Sequence, residues 1–324
     1  MSVTGLLFLL FYAAGLLASF AVHPRWGLYT YLAVFYLFPQ VRWWGAGLPD
    51  LRWSLIAAVV TLITLGKSKP PGDYPSWQSN TIVKLLIIYV GWMWLQLFWA
   101  IPAHMEGLIL QTKYLMLSYI LYRIVQDVKD MRALIFIHIT GCFYFGWLAF
   151  DASGAGRLEG IGGPSLNDSN ALGMVMATAM LFAATIVLSE RGRMLWATLA
   201  AVPFIANAFI QTESRSAFLG LVCGGVVYYL FAPKNRRKYI IVLGSAALVV
   251  LIAKSPAQYW DRISTMLLAK DNVEEMDGSA RSRIALFHAQ VRMLSDYPLG
   301  LGFRTTSYLS NLYIDPEFLP RPKD

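Results

Sequence analysis

Residues 211–220 read Gln-Thr-Glu-Ser-Arg-Ser-Ala-Phe-Leu-Gly, which sets Glu213, Arg215 and three hydroxyls in a short polar break between two apolar runs. Ionisable groups at the rim of a bilayer are costly to hold, so a partner has to be named for them. For Arg215 the chemistry points to a phosphate. The guanidinium fork matches phosphate oxygens in two parallel hydrogen bonds and cannot lose its charge. The plainer account is a solvated turn joining two helices, and these ten residues alone leave both accounts open.

Other stretches carry related chemistry. Arg157 opens a run to Asn170 that holds three glycines and ends in Asn167-Asp168-Ser169-Asn170, just before an apolar block. Glycines let a backbone approach a ligand closely and a helix start presents unpaired N–H groups, so the run could cradle an anion. As an ordinary turn it would instead be capped by Asn170. Further on, Ile284, Phe287, Val291 and Leu294 recur at helical spacing while Arg281, Arg283, His288 and Arg292 bring charge. That pattern predicts a helix lying over the membrane domain, halted by the tight turn Tyr297 to Phe303. Lys113 falls within the first two turns of an apolar block, where a lysine either snorkels to the interface or holds an anion. His138, alone inside another block, reads as a packing residue.

These residues need elements to position them, and composition says which. With 57% hydrophobic and 14% charged residues and a mean hydropathy of +0.51, the chain is a polytopic all-α membrane protein of about ten spans. The apolar blocks are Val3 to Val22, Trp26 to Phe38, Leu51 to Gly66, Thr81 to Ile101, Gly107 to Val125, Met131 to Phe150, Ala171 to Ser189, Met194 to Ile210, Ala217 to Ala232 and Tyr239 to Ala253. The second is short, so it is either half of a tilted pair or re-entrant. The first reads as a retained helix, because no basic residue precedes it and no small-residue cleavage pattern follows. Many of the 11 Trp and 17 Tyr sit at block ends, where interfacial aromatics gather. Cys142 and Cys223 lie inside blocks and form neither a disulfide framework nor a metal site.

The net charge of +8 would suggest nucleic acid in a soluble protein. Here no nucleic acid is expected, because the bases cluster at Lys67/Lys69, Lys129/Arg132, Arg191/Arg193 and Lys234 to Lys238, in alternate loops. By the positive-inside rule those loops are cytoplasmic and the others external. Asp151 to Asn170, the Glu213/Arg215 turn and the C-terminal segment therefore share the outer face. The expected domains are 1–253, transmembrane, and 254–324, external and partly helical.

Taken together, Arg157-x-x-Gly with its Asn-rich helix start, Ser214-Arg215-Ser-Ala-Phe-Leu-Gly, and Arg281/Arg283 followed by Asp296-Tyr-Pro-Leu-Gly-Leu-Gly-Phe resemble the O-antigen ligase/polymerase superfamily. The stretch Pro49 to Leu55 resembles the O-glycosylation ligase-like branch associated with exosortase systems. The resemblance runs through nearly the whole chain in order. It implies a GT-C-like, metal-independent and cofactor-free transferase of the bacterial inner membrane. Such an enzyme moves a glycan from undecaprenyl diphosphate to an acceptor hydroxyl on a glycolipid, protein or glycan, at the periplasmic face.

Carried over by motif, Arg157, Arg215 and Arg283, with Arg281 and Lys113, would bind the diphosphate, whose negative charge grows as the glycosidic bond breaks. Glu213 would orient an arginine or contact the acceptor sugar. The family's proposed base is a histidine, usually followed by Asn, placed after the Pro-x-Gly-x-Gly motif and before further helices. The resemblance is to a copy without that element up to Asp324; His288 is on the external segment but precedes the motif, and Asp315 and Glu317 are external carboxylates with no better claim to base work. A polysaccharide polymerase of the same superfamily, an anionic-lipid transporter and a non-catalytic remnant are the alternatives.

Overall fold

The computed structural model describes residues 2–68, 76–151, 157–163, 166–254, 278–315 and 318. Every regular element among them is helical. In chain order these are α1 (Val3–Ala21), α2 (Arg25–Leu37), α3 (Trp53–Lys67), α4 (Thr81–Leu95), α5 (His104–Ile124), α6 (Val128–Asp151), α7 (Ser169–Ser189), α8 (Arg193–Gln211), α9 (Arg215–Phe231), α10 (Lys234–Lys254), α11 (Gly278–Asp296) and α12 (Thr305–Leu309). All ten apolar blocks are thus helices. Five of the described helices, α1, α4 with the turn after it, α6, α7 and α8, are long and apolar enough to cross a membrane. Two more, α3 and α9, are apolar but shorter.

The chain forms two compact units, Met1–Lys69 with Arg123–Tyr259, and Pro70–Tyr122 with Trp260–Asp324. In the first, α1, α2 and α3 close around Phe8, Tyr12, Val34, Trp44, Trp53 and Ala57. Small residues bring these helices together: Gly15 faces Thr30, and Gly27 faces Thr61 and Ser19. In a medium with no hydrophobic driving force, such close approach is what holds helices. The polar groups between them are paired, Tyr12 Oη donating to the Trp53 carbonyl at 2.8 Å and Ser19 bonding Thr64 at 3.0 Å. His138 shares a hydrogen bond with Tyr36 and meets Phe182 edge-on, as a packing histidine should.

Polar contacts sort this unit's loops into two ends. At one, Arg25 pairs with the buried Asp130 (3.2 Å), Arg132 with Glu190 (2.9 Å), Arg236 donates to Ser189 (2.8 Å) and Arg123 to the Ser68 carbonyl (3.1 Å). Burial, then the charge of Arg25, push the His23 imidazole down, and its Nδ1 accepts the Arg25 N–H at 3.1 Å. At the other end, Arg42 donates to the Ile161 carbonyl at 2.7 Å, and Ser2 caps α1 while donating to the Trp44 carbonyl. The basic loops recognised in the sequence that fall in the described part of this unit gather at the first end. Helix α2 runs from one end to the other in 13 residues, about 20 Å at helical rise.

In the second unit, the turn after α4 and the start of α5 grip residues 299–303 by the main chain. Gln96 Nε2 donates to the Leu299 carbonyl (2.9 Å), Trp99 Nε1 to that of Gly300 (2.9 Å) and the Ile101 N–H to that of Leu301 (3.0 Å). His104, fully buried, receives the Phe303 N–H on Nδ1 at 2.8 Å and contacts the Met93 carbonyl through Nε2 at 2.7 Å. Since a carbonyl can only accept, Nε2 carries the proton and Nδ1 does not. Gly300 and Gly302 sit at φ of 68° and 96°, and a side chain on Gly302 would meet the His104 ring.

This clamp predicts that Gly302→Ala destabilises the chain by about 1–3 kcal/mol. Thermal unfolding in detergent should show a lower midpoint for it than for Leu299→Ala, whose side chain is exposed; equal midpoints would contradict the clamp.

Candidate functional site

The end of the first unit that holds Arg42 also collects the α6–α7 loop and the α8–α9 turn, and their backbones are tied together. The Leu158 N–H donates to the Gln211 carbonyl at 2.9 Å and the Arg157 Nε to that of Thr212 at 3.3 Å. Within the loop the Gly160 N–H donates to the Asn167 carbonyl (3.0 Å), and Gly160 takes a φ of 75° that suits glycine. Leu158, Ile161 and Leu166 are buried, so this glycine-rich run packs down as a folded cap.

Two helices begin here, each with a side-chain cap. Asp168 caps α7, its carboxylate accepting the Asn170 and Ala171 N–H groups at 3.0 and 3.1 Å. The expected cap at Asn170 is therefore corrected: the carboxylate two residues earlier takes the orphan donors. That releases the Asn170 amide for another task. Its Oδ1 accepts from Ser214 Oγ at 2.9 Å and from an Arg157 guanidinium nitrogen at 3.5 Å. Ser214 in turn caps α9, accepting the Ala217 N–H at 3.2 Å. Helices α7 and α9 approach closely because position 173 is glycine, with Ala217, Thr212 and Ser214 against it.

The structure thus brings Arg157, Glu213 and Arg215 to one rim. Arg157 is exposed and Arg215 half-buried, in the first turn of α9. There the helix dipole adds positive potential to that of the guanidinium, which favours an anion. Glu213 occupies the left-handed region at φ 46°, a conformation that a non-glycine residue takes at some cost. One turn into α9, Phe218 opens a crevice of about 400 Å³ between α7, α9 and α10, lined almost wholly by apolar side chains down to Tyr229 and Leu188. Such a crevice suits a hydrocarbon chain.

The remaining candidates belong to the second unit. Lys113 is exposed on α5. Arg281 and Arg283 lie near the start of α11, the former half-buried and the latter exposed. His288, also exposed, has Nδ1 3.8 Å from an Asp315 oxygen, while Arg292 holds the other oxygen at 2.6 Å. Tyr313 donates to Asp296 at 2.8 Å, and that bond, with burial and the carboxylate's charge, pushes the phenol up to about 12. Glu317 lies outside the described residues.

Three residues that organise these regions escaped the sequence reading. Asn170, the cap in the plain-turn reading, is a shared acceptor. Arg42, just before Trp43 and Trp44, donates to the Ile161 carbonyl and lies over the Tyr144 ring. His104, next to a proline-containing turn, holds Phe303. Only the last had a local signal, a histidine at an apolar block's start.

Fold and site together define a polytopic helical membrane protein with a cationic rim at one end of its larger unit. Residues 200–323, which include Arg215, Arg281, Arg283 and the Gly300/Gly302 turn, match the model of the O-antigen ligase family, and that segment carries the signature of the O-antigen ligase/polymerase superfamily. The match supports a ligase- or polymerase-type role in glycan transfer, with a lipid-linked glycan and an acceptor as partners. Comparison with curated proteins and with solved structures gave no match.

Ser214→Ala removes both a helix cap and a donor to Asn170, and should cost about 1–2 kcal/mol of stability. Thermal unfolding in detergent checks this, and an unchanged midpoint would mean that the Ser214 cap contributes nothing.

Proposed function

We propose that this chain transfers a glycan from an undecaprenyl diphosphate carrier to an acceptor hydroxyl at the periplasmic face of a bacterial inner membrane, acting as a metal-independent O-antigen or O-glycan ligase. One observation carries the reading: Arg157 is bonded to the α8–α9 turn that presents Arg215, and Asn170 accepts from both Arg157 and the residue before Arg215. Two arginines brought to one rim, beside an apolar crevice, suit a lipid diphosphate with its head at the arginines and its chain along α9.

In the reaction the acceptor oxygen forms a bond to the anomeric carbon as the bond from that carbon to the diphosphate oxygen breaks. The leaving diphosphate takes the electron pair, and its growing charge is stabilised by guanidinium donors already in place, which lowers the barrier. The acceptor proton passes to a base; within the second unit, taken by itself, His288 beside Asp315 stands as a candidate for base work. Lys113, Arg281 and Arg283 stand as anion-binding candidates of the second unit in their own right, and Glu213 as the group that orients an arginine or meets the acceptor. With the basic end cytoplasmic by the positive-inside rule, the N-terminus and the cationic rim face outward.

Arg215→Lys keeps the charge but loses the paired fork, and should lower glycan attachment about 100-fold in a complemented deletion strain. Unchanged attachment would sink the phosphate role. The deletion strain itself separates the finer readings: unattached polymer accumulates if a ligase is lost, and single repeat units if a polymerase is lost.

Sidedness is tested separately by cysteine labelling on a Cys223→Ser background. Asn167→Cys should react with a membrane-impermeant maleimide from outside and Arg191→Cys only after lysis; the reverse pattern would put the rim on the cytoplasmic face.

A further inference from the structure

Beside the clamped residues 299–303, the second unit has a pocket of about 170 Å³ between the last two turns of α11 and the start of α12. It holds about six waters at liquid density, less than the roughly 300–1,000 Å³ typical of drug-sized ligands, and about what one pyranose ring fills. Its lining is mixed. Met293, Tyr297 and Leu301 are apolar or aromatic, whereas Gln290, Thr305 and Thr306 are neutral hydrogen-bonding groups. Among the described lining residues no side chain is charged at neutral pH, which sets this pocket apart from the cationic rim.

We propose that this pocket binds one neutral sugar ring of a glycan; the proposal rests on the glycan-transfer reading and deepens it by naming where a sugar sits. A pyranose has apolar C–H faces edged by hydroxyls that both donate and accept. Amide and hydroxyl side chains match such groups, because each of them also does both. A purely apolar ligand would strand these groups without partners. The Gln290 amide donates to Thr306 Oγ1 at 3.3 Å, a long bond that sugar hydroxyls can replace at little cost.

The wall is rigid before any ligand arrives. Four successive carbonyls, Leu299 to Gly302, accept from Gln96, Trp99, Ile101 and Thr305, and the next N–H is held by His104. A preformed wall reduces the ordering cost of binding.

The test uses the full chain in lipid nanodiscs, with free glucose, galactose and N-acetylglucosamine as probes, read by saturation-transfer NMR. At least one sugar should show saturated ring protons. Thr306→Trp, which fills the pocket, should abolish the signal, and Gln290→Leu should weaken binding about fivefold. No signal from any of the three sugars, or an equal signal from folded Thr306→Trp, overturns the proposal. If Thr306→Trp does not fold, an unchanged affinity in Gln290→Leu does so.

Arg215→Lys should leave sugar binding intact while reducing transfer, so failure of the pocket and failure of the transfer reading are separable. In a transfer assay of Gln290→Leu, a raised KM for the lipid-linked donor assigns the ring to the donor, and a raised KM for the acceptor assigns it to the acceptor. No change in either KM overturns the assignment.

Discussion

The Asn170 amide oxygen is the point on which the larger unit's cationic rim depends. It accepts from Ser214 at the start of one helix and from Arg157 in a loop that precedes another. A buried or half-buried polar atom that loses such partners carries a desolvation penalty larger than the net worth of either bond. The arrangement is therefore all or nothing. Asn170 is free for this role because Asp168 caps α7, and the α7–α9 approach that brings Ser214 within reach requires glycine at position 173.

Seen from the rim, the rest of the larger unit is a means of keeping two sets of loops apart. One end is tied by ion pairs such as Arg132 with Glu190, the other by hydrogen bonds to backbone carbonyls and amides. Salt bridges near water contribute little stability, so their value here is in register. At the opposite end, the partners of Arg157 among the described residues are neutral oxygens, those of the Thr212 carbonyl and the Asn170 amide. A guanidinium held by neutral acceptors keeps its charge available to an incoming anion.

The sequence made the helices legible because apolar blocks of that length have one physical solution in lipid, with every backbone group satisfied inside the helix. It made the two ends legible because lysines and arginines recur in alternate loops. The rim was half legible: Arg157 and Arg215 stand out as costly charges, but nothing in the residue order says that they share Asn170 and Thr212. That link spans more than forty residues and depends on α7 and α9 packing at Gly173. The role of the Asp296 to Phe303 motif was hidden for a related reason. Read locally it is a tight turn, whereas its glycines answer to His104 and Trp99, nearly two hundred residues earlier in the chain.

The grip on residues 299–303 is directed at the main chain, and this bears on how the segment can change over evolutionary time. Gln96, Trp99 and His104 recognise carbonyls and an N–H, groups that every residue except proline offers in full, so beyond excluding proline at position 303 they place no demand on the side chains they hold. Constraint falls instead on the two glycines, through their backbone angles, and on the donors. Leu299 and Leu301 are free to drift with whatever the pocket and its surroundings ask of them. Such a segment can acquire a new specificity without losing its anchorage.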